Sequence, residues 1–268
     1  MEKHTASVIM AAGRGSRMKA FEGNKTLLPL VPEKSPYEGR RPILLHILNN
    51  LPAGPKAVVV HHKKEEVIEA TRGLDVTYCE QPELNGTGGA LLAARTFIEN
   101  QNSDQLNITM GDVPFVKMKT YLDLINKLQN YSLVVLGFCP ENKKQYGVLE
   151  IEGGRVQRII EWKYWKTYPK EKQARLRVCN SGIYAARKSD LLPYLSVLES
   201  KPQIVRKEIN GQWVEFEEFF ITDLIEYMSA GGLAVGCVVA DDATEMMGVD
   251  DHSALAKAQE IFRSKNFE

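Results

Sequence analysis

The stretch Ala6-Ser7-Val8-Ile9-Met10-Ala11-Ala12-Gly13-Arg14-Gly15-Ser16-Arg17-Met18 decides the fold. A short apolar run that stops at a glycine-rich turn reads as a buried strand feeding a loop. A turn of this kind, at the C-terminal end of a first parallel strand, lies where open α/β sheets bind ligands. Glycine lets backbone N–H groups approach phosphate oxygens closely. Arg14, Arg17 and Lys25 add cations suited to a triphosphate. A dinucleotide-binding G-x-G-x-x-G needs a third glycine where Met18 stands. A P-loop needs Gly-Lys-[Ser/Thr], but the chain has Gly23-Asn24-Lys25-Thr26. The plain alternative is an ordinary βα turn with solvated arginines.

Outward from this strand, strand-like and helix-like segments alternate. Residues 56–61 contain Val58-Val59-Val60, typical of a buried strand. Residues 42–50 carry Ile43, Leu44, Ile47 and Leu48 at helical spacing behind a proline suited to a first turn. Helices are expected at 63–72, 87–100 and 119–129, and strands at 74–79, 105–110 and 132–138. Repeated β-α units of this length imply an α/β, doubly wound, mostly parallel sheet with right-handed crossovers. After about residue 140 the pattern changes. Strands are expected at 147–152, 155–162 and 177–186, with Gly153-Gly154 as a hairpin turn, covering one side of the sheet. Helices at 188–198, 219–230 and 253–264 and a strand at 233–240 complete the reading. Without repeats or a flexible linker, residues 1–268 read as a single domain, 1–140 binding nucleotide and 141–268 facing the second substrate.

The 268 residues are 44% hydrophobic and 25% charged, with Lys+Arg and Asp+Glu both 34. This balance gives no general attraction for nucleic acid or an anionic membrane, so an anion site must be local. Cys79, Cys139, Cys179 and Cys237 form no C-x-x-C pair, which argues against zinc and thioredoxin chemistry. They read as reduced, mostly buried thiols of a cytoplasmic protein. Glu2, Lys3 and His4 do not open a signal peptide, and no run approaches the ~18–20 apolar residues of a membrane span.

Three further elements point to nucleotide chemistry. Gln81 precedes Gly86-Thr87-Gly88-Gly89-Ala90, where glycines at a helix start leave N–H groups facing a ligand. Met110-Gly111-Asp112-Val113-Pro114 places a carboxylate at a strand's C-terminal edge, a position suited to a hard divalent cation. Met247-Gly248-Val249-Asp250-Asp251 precedes the last helix, which Asp250 or Asp251 would cap if neither had another role.

Together these elements resemble those of the sugar-nucleotide pyrophosphorylases, above all the N-acetylglucosamine-1-phosphate uridylyltransferase domain, in order and from Ala11 to Asp251. The resemblance implies a Rossmann-like fold of the nucleotide-diphospho-sugar transferase type. It implies an Mg²⁺-dependent transfer from a nucleoside triphosphate, UTP by resemblance, to a sugar 1-phosphate. It implies that Arg17 and Lys25 hold the departing phosphates. Ala12, Gly13 and Gly15 would line the nucleotide, with uracil contacts from Gln81, Gly86 and Thr87. Asp112 and Asp250 would be the metal ligands. Tyr146-Gly147, Glu161 with Lys163, Asn180-Ser181-Gly182 and Thr222-Asp223 match sugar-pocket elements, which implies sugar binding by Gly147, Glu161, Asn180 and Thr222.

The chain departs from the family pattern at several of these positions. Asn24 stands where the family has proline, and Lys25 lies one residue farther from Arg17. Residues 31–41 read as an insertion, and Asp250 replaces an asparagine. Val148, Tyr164 and Phe219-Phe220 differ in the sugar pocket, where Trp162 and Trp165 are either core or sugar-stacking residues. A sugar 1-phosphate is already an oxyanion, so no Ser-His-Asp or Cys-His group is expected, and His46, His61 and His62 read as structural. The hexapeptide-repeat domain of bifunctional relatives is not expected in this sequence. Two other readings remain: a transfer with another acceptor or base, such as phosphocholine with CTP or a different hexose 1-phosphate, and a non-catalytic nucleotide-sugar sensor.

Overall fold

Strand β1 (Ala6–Met10) is buried on both faces, as its continuous apolar run requires. Ala6, Val8 and Met10 face one hydrophobic core and Ile9, with the following Ala11, faces the other. The computed structural model describes residues 5–15, 17–18, 21–209 and 211–265; Ser16 of the opening loop and Glu2-Lys3-His4 lie outside them.

In chain order the described residues next form a 3-10 turn (Lys25–Leu27), a hairpin of β2 (Pro29–Ser35) and β3 (Glu38–Pro42), α1 (Ile43–Asn50), β4 (Lys56–Val60), α2 (Lys64–Ala70) and β5 (Thr77–Glu80). Helices α3 (Gly86–Ala93) and α4 (Arg95–Glu99), β6 (Gln105–Met110), α5 (Met118–Lys127) and β7 (Leu133–Phe138) follow. The remaining chain adds β8 (Val148–Glu152), β9 (Arg155–Ile160), α6 (Trp162–Trp165), α7 (Lys170–Arg175), β10 (Cys179–Arg187) and α8 (Lys188–Glu199). It ends with β11 (Gln203–Ile209), β12 (Gln212–Glu218), α9 (Ile221–Ala230), β13 (Val235–Val239), a second 3-10 turn (Ala243–Met246) and α10 (His252–Ser264).

The central sheet runs β13-β7-β10-β6-β1-β4-β5, with β8 and β9 branching from β10. β1 pairs in parallel with both β4 and β6, β4 with β5, and β13 with β7, so the expected α/β architecture is present. β10 differs from expectation: it lies inside the sheet, antiparallel to both β6 and β7, and does not cover one side. Its register breaks between Asn180 and Tyr184, where Gly182 adopts φ +80°; the Asn-Ser-Gly stretch is therefore a bulge that re-aims side chains.

Other boundaries move for local reasons. The strand expected to reach Trp162 stops at Ile160, and Trp162–Trp165 forms a helical turn. The helix expected at 87–100 breaks at Ala94 into α3 and α4. Residues 31–41 fall in the β2–β3 hairpin, which docks on α10 through Gln259: its buried amide donates to Pro29 O (2.9 Å) and Pro36 O (2.8 Å). Cys79 and Cys179 are buried, whereas Cys139, just beyond the end of β7, is exposed, contrary to the expectation of a core thiol.

Candidate active site

The loop after β1 is held by main-chain and side-chain bonds that end at Lys25. Met18 N donates to Gly15 O (2.8 Å), and Gly15 takes φ +61°. A Cβ there would come within 3.1 Å of Lys25 Cβ, so Gly15 lets the lysine stem pack against the loop. Gly13 has no heavy atom within 4 Å of an added Cβ, leaving its backbone open to a ligand. Asn24 is fully buried; its Oδ1 accepts from Thr26 N (2.9 Å) and Thr26 Oγ1 (2.7 Å), and its Nδ2 donates to His62 O (2.8 Å). It thus caps the 3-10 turn that carries Lys25. Sequence reading noted Asn24 only as a departure; its role depends on His62, 38 residues away.

From that turn Lys25 reaches two carboxylates. Its Nζ forms an ion pair with Asp112 Oδ2 and another with Asp250 Oδ1 at 3.0 Å. Arg17 Nη2 lies 3.4 Å from the same Asp250 oxygen. Burial is the largest influence on the Lys25 ammonium and acts to lower its pKa. Asp112 and Asp250 together outweigh it and hold the value above 10.5. The fold brings the two acids together through the main chain: Val249 N donates to Asp112 O (2.8 Å). Gly111 makes room beside them, since a Cβ there would lie 2.9 Å from Met10 O. Glu245, which sequence reading missed, anchors the same C-terminal segment. It is buried and accepts from Thr120 Oγ1 (2.6 Å), Lys117 N (3.2 Å) and Lys117 Nζ (2.8 Å).

Among the described residues no group of three or more His, Cys, Asp or Glu is placed to hold a metal ion. The pair Asp112 and Asp250 nevertheless fits Mg²⁺, which takes one or two carboxylates and completes its shell with phosphate oxygens and water. Both already converge on one positive group, the Lys25 ammonium.

A cleft of about 760 Å³ opens from this point along the sheet edge. Arg17, Asp112 and Asp250 line it together with Thr87, Glu161, Asn180 and Thr222. Ala12, Gly13, Gly15, Lys25, Gln81, Gly86 and Gly147 are not part of this lining, although Lys25 touches it through both acids. Gln81 is buried, its amide nitrogen donating to Asn85 Oδ1 (2.9 Å) and Gly86 O (3.2 Å), so here it braces the loop before α3. That loop is tied to the end of the β11–β12 hairpin by Gly88 N to Phe219 O (2.7 Å) and Phe219 N to Asn85 O (2.8 Å). Thr87 Oγ1 accepts from Ile221 N (3.2 Å), at the start of α9.

Gly147 stands beside Glu161: an added Cβ would lie 3.6 Å from both carboxylate oxygens. Burial pushes the Glu161 carboxyl up, with Lys163 and a hydrogen bond from Thr222 opposing it. Asn180 Nδ2 donates to Tyr184 Oη (3.0 Å), and its Oδ1 accepts from Gly182 N (3.1 Å). Trp165 is core, its indole N–H bonded to Tyr146 O (2.8 Å), while Trp162 lines the cleft. Gln203, Ile204 and Val205 of β11 add a wall that sequence reading did not find, pinned by Gln203 Nε2 to Asp223 Oδ2 (3.2 Å).

Open backbone, tethered cations and paired acids along the C-terminal edge of a parallel sheet are what polyphosphate handling demands, and they place the protein among the nucleotide-binding α/β proteins. The chain belongs to the family described as the MobA-like NTP transferase domain, which residues 7–176 match, and is a nucleotidyltransferase by family. It is 31% identical to the bifunctional protein GlmU of Novosphingobium aromaticivorans over 265 residues, 97% of this chain and 53% of that one. With the bifunctional protein GlmU of Pelobacter propionicus it shares 32% identity over 270 residues, 98% of this chain and 53% of that one. The chain thus spans about half the length of these curated relatives.

Solved structures agree on the fold. The uridine diphosphate N-acetylglucosamine pyrophosphorylase of Trypanosoma brucei superposes with a TM-score of 0.74 at 14% identity, over 96% of this chain and 65% of that chain. A Bacillus anthracis protein assigned as a glucose-1-phosphate thymidylyltransferase gives 0.69 at 21% identity, over 98% and 97% of the two chains.

Proposed function

We propose that this protein joins a nucleoside triphosphate to a sugar 1-phosphate and releases pyrophosphate, with UTP and N-acetylglucosamine 1-phosphate as the substrate pair. The observation that carries the reading is the convergence of Lys25, Arg17, Asp112 and Asp250 beside a cleft that Glu161, Asn180 and Thr222 also line. The acceptor phosphate is an oxyanion at neutral pH, so the protein's task is to position it and neutralise charge. Lys25 and Arg17 hold the phosphates that leave, and the backbone from Ala12 to Gly15 approaches the triphosphate. Gln81, Gly86 and Thr87 form the base end, with Gln81 bracing the loop. Asp112 and Asp250 would hold Mg²⁺, which when bound would supply neutralisation of the phosphates' negative charge. Glu161, Asn180, Thr222 and the Gly147 backbone bind the sugar.

One observation favours a second reading, transfer to phosphocholine. Trp162 and Tyr164 lie in the cleft with the carboxylates of Glu161 and Asp223, a set suited to a quaternary ammonium. Lysines already cover those rings, however: Lys166 Nζ lies 4.1 Å from the Trp162 centroid and Lys163 Nζ 4.8 Å from that of Tyr164. The sugar reading is therefore preferred. Pyrophosphate release across four nucleoside triphosphates and several phosphorylated acceptors, with Mg²⁺, tests both. Turnover with UTP and N-acetylglucosamine 1-phosphate supports the first. Turnover only with CTP and phosphocholine replaces it with the second, and silence with nucleotide still bound sinks both.

A further inference from the structure

We infer that Lys25 is a tethered counter-ion that keeps Asp112 and Asp250 closed to a divalent cation until a triphosphate draws the ammonium away. The inference rests on the reading of these two acids as the metal pair. Three observations support it. The ammonium is bonded to one oxygen of each acid, and Arg17 adds a second cation at the Asp250 oxygen. Each acid keeps a second oxygen, but a divalent cation bound there would lie within a few ångströms of the ammonium and share the same negative charge with it, so cation and lysine compete for the pair.

The contact is also sheltered. The Lys25 and Asp112 side chains are 12% and 15% exposed, against 72% for Arg17, so the Lys25–Asp112 attraction is little screened by solvent. Finally, the fold aims the lysine: buried Asn24 caps its turn and Gly15 accommodates its stem. Asp250 matters to the arrangement, because an asparagine in its place would carry no charge to attract an ammonium.

A triphosphate bound at the loop offers Lys25 a denser array of anionic oxygens and releases both carboxylates together. Nucleotide and metal then raise one another's affinity, since linkage between two sites is reciprocal. Metal without nucleotide meets an occupied pair.

Mn²⁺ binding to the nucleotide-free protein, read by electron paramagnetic resonance, tests this directly. Lys25→Met is expected to bind Mn²⁺ about tenfold or more tightly than the unaltered protein, because a positive charge is removed a few ångströms from the ion. Adding Asp250→Asn should cancel most of the gain. Equal Mn²⁺ affinity of the unaltered protein and Lys25→Met, with both still binding Mn²⁺ beside UTP, overturns the counter-ion role and leaves the ligand assignment standing. Failure of every folded variant to bind Mn²⁺ even with UTP overturns both. A measurement without mutation guards against misfolding: the Lys25 side-chain nitrogen resonance should shift on adding UTP with Mg²⁺ and stay in place with Mg²⁺ alone. An equal shift with Mg²⁺ alone refutes the inference.

Discussion

Replacing Gly86 by alanine should damage the protein far more than the same change at Gly153, although both glycines have positive φ. Gly86 has φ +95° and Gly153 φ +56°, so each substitution bears a backbone cost of about 1–2 kcal/mol. At Gly153 nothing lies within 4 Å of the new Cβ, and the cost stops there. At Gly86 the Cβ would sit 2.4 Å from Phe219 O, an atom that cannot swing aside as a side chain would. Phe219 is fixed to the same loop by Gly88 N to Phe219 O and Phe219 N to Asn85 O. Relieving the overlap breaks one or both bonds, each worth about 1 kcal/mol, and the sum for Gly86→Ala is about 2–4 kcal/mol. At about 2–4 °C per kcal/mol for a chain near this size, Tm should fall by about 4–16 °C, against about 2–8 °C for Gly153→Ala. Differential scanning calorimetry of both variants measures this, and the nucleotide KM should rise for Gly86→Ala alone. Equal Tm losses would mean that the Phe219 contact does not constrain the loop.

Further outcomes follow from other contacts. Glu245→Ala removes the buried acceptor of Thr120 and Lys117 N and should cost about 2–4 kcal/mol in urea unfolding, while Glu245→Gln, which keeps an acceptor, should cost clearly less. The Lys117 ammonium is half exposed and adds little to that figure. A carboxyl whose pKa is raised in the folded state, as burial raises Glu161 above 4.5, favours folding while protonated and loses that contribution as pH rises through the folded value. Glu161→Gln should therefore gain stability over the unaltered protein at pH 7, and the gain should shrink towards pH 4; a difference independent of pH counts against it. Ile204→Ala should raise the acceptor KM by up to about tenfold without changing the UTP KM, because truncating one apolar wall group forfeits about 1 kcal/mol or slightly more. A matching change in the UTP KM would place Ile204 elsewhere in the reaction.

The fold was legible where the sheet is buried on both faces. Ala6–Met10, Lys56–Val60 and Leu133–Phe138 are mostly apolar runs, Gln105–Met110 alternates polar and apolar residues before Gly111, and each is a strand of the central sheet. The β11–β12 hairpin escaped because its strands are mostly exposed and mixed in polarity, which erases the two-residue alternation. The Asn210-Gly211 pair, a strong hairpin signal, was available in the sequence to find it. β10 was read as a strand but misplaced, since periodicity cannot say which neighbours a strand takes. The site shows the same division. Each motif is local and readable, whereas the meeting of Lys25 with Asp112 and Asp250 joins residues 87 and 225 positions apart.

Two departures from the family pattern bear on whether this site is kept for chemistry. Asn24 in place of proline and Asp250 in place of asparagine lie far apart in sequence, yet both act on Lys25. Asn24 supplies three side-chain bonds that fix the lysine's turn, and Asp250 supplies a second carboxylate for its ammonium. A proline there could make neither the Asn24 N bond to Glu66 Oε2 (3.1 Å) nor any side-chain cap. A buried ammonium is costly unless it is paired, and here it is paired with both acids. Charge and polar bonds converge on the one lysine that faces the leaving phosphates in the proposed reaction. That convergence favours a working transferase over a sensor.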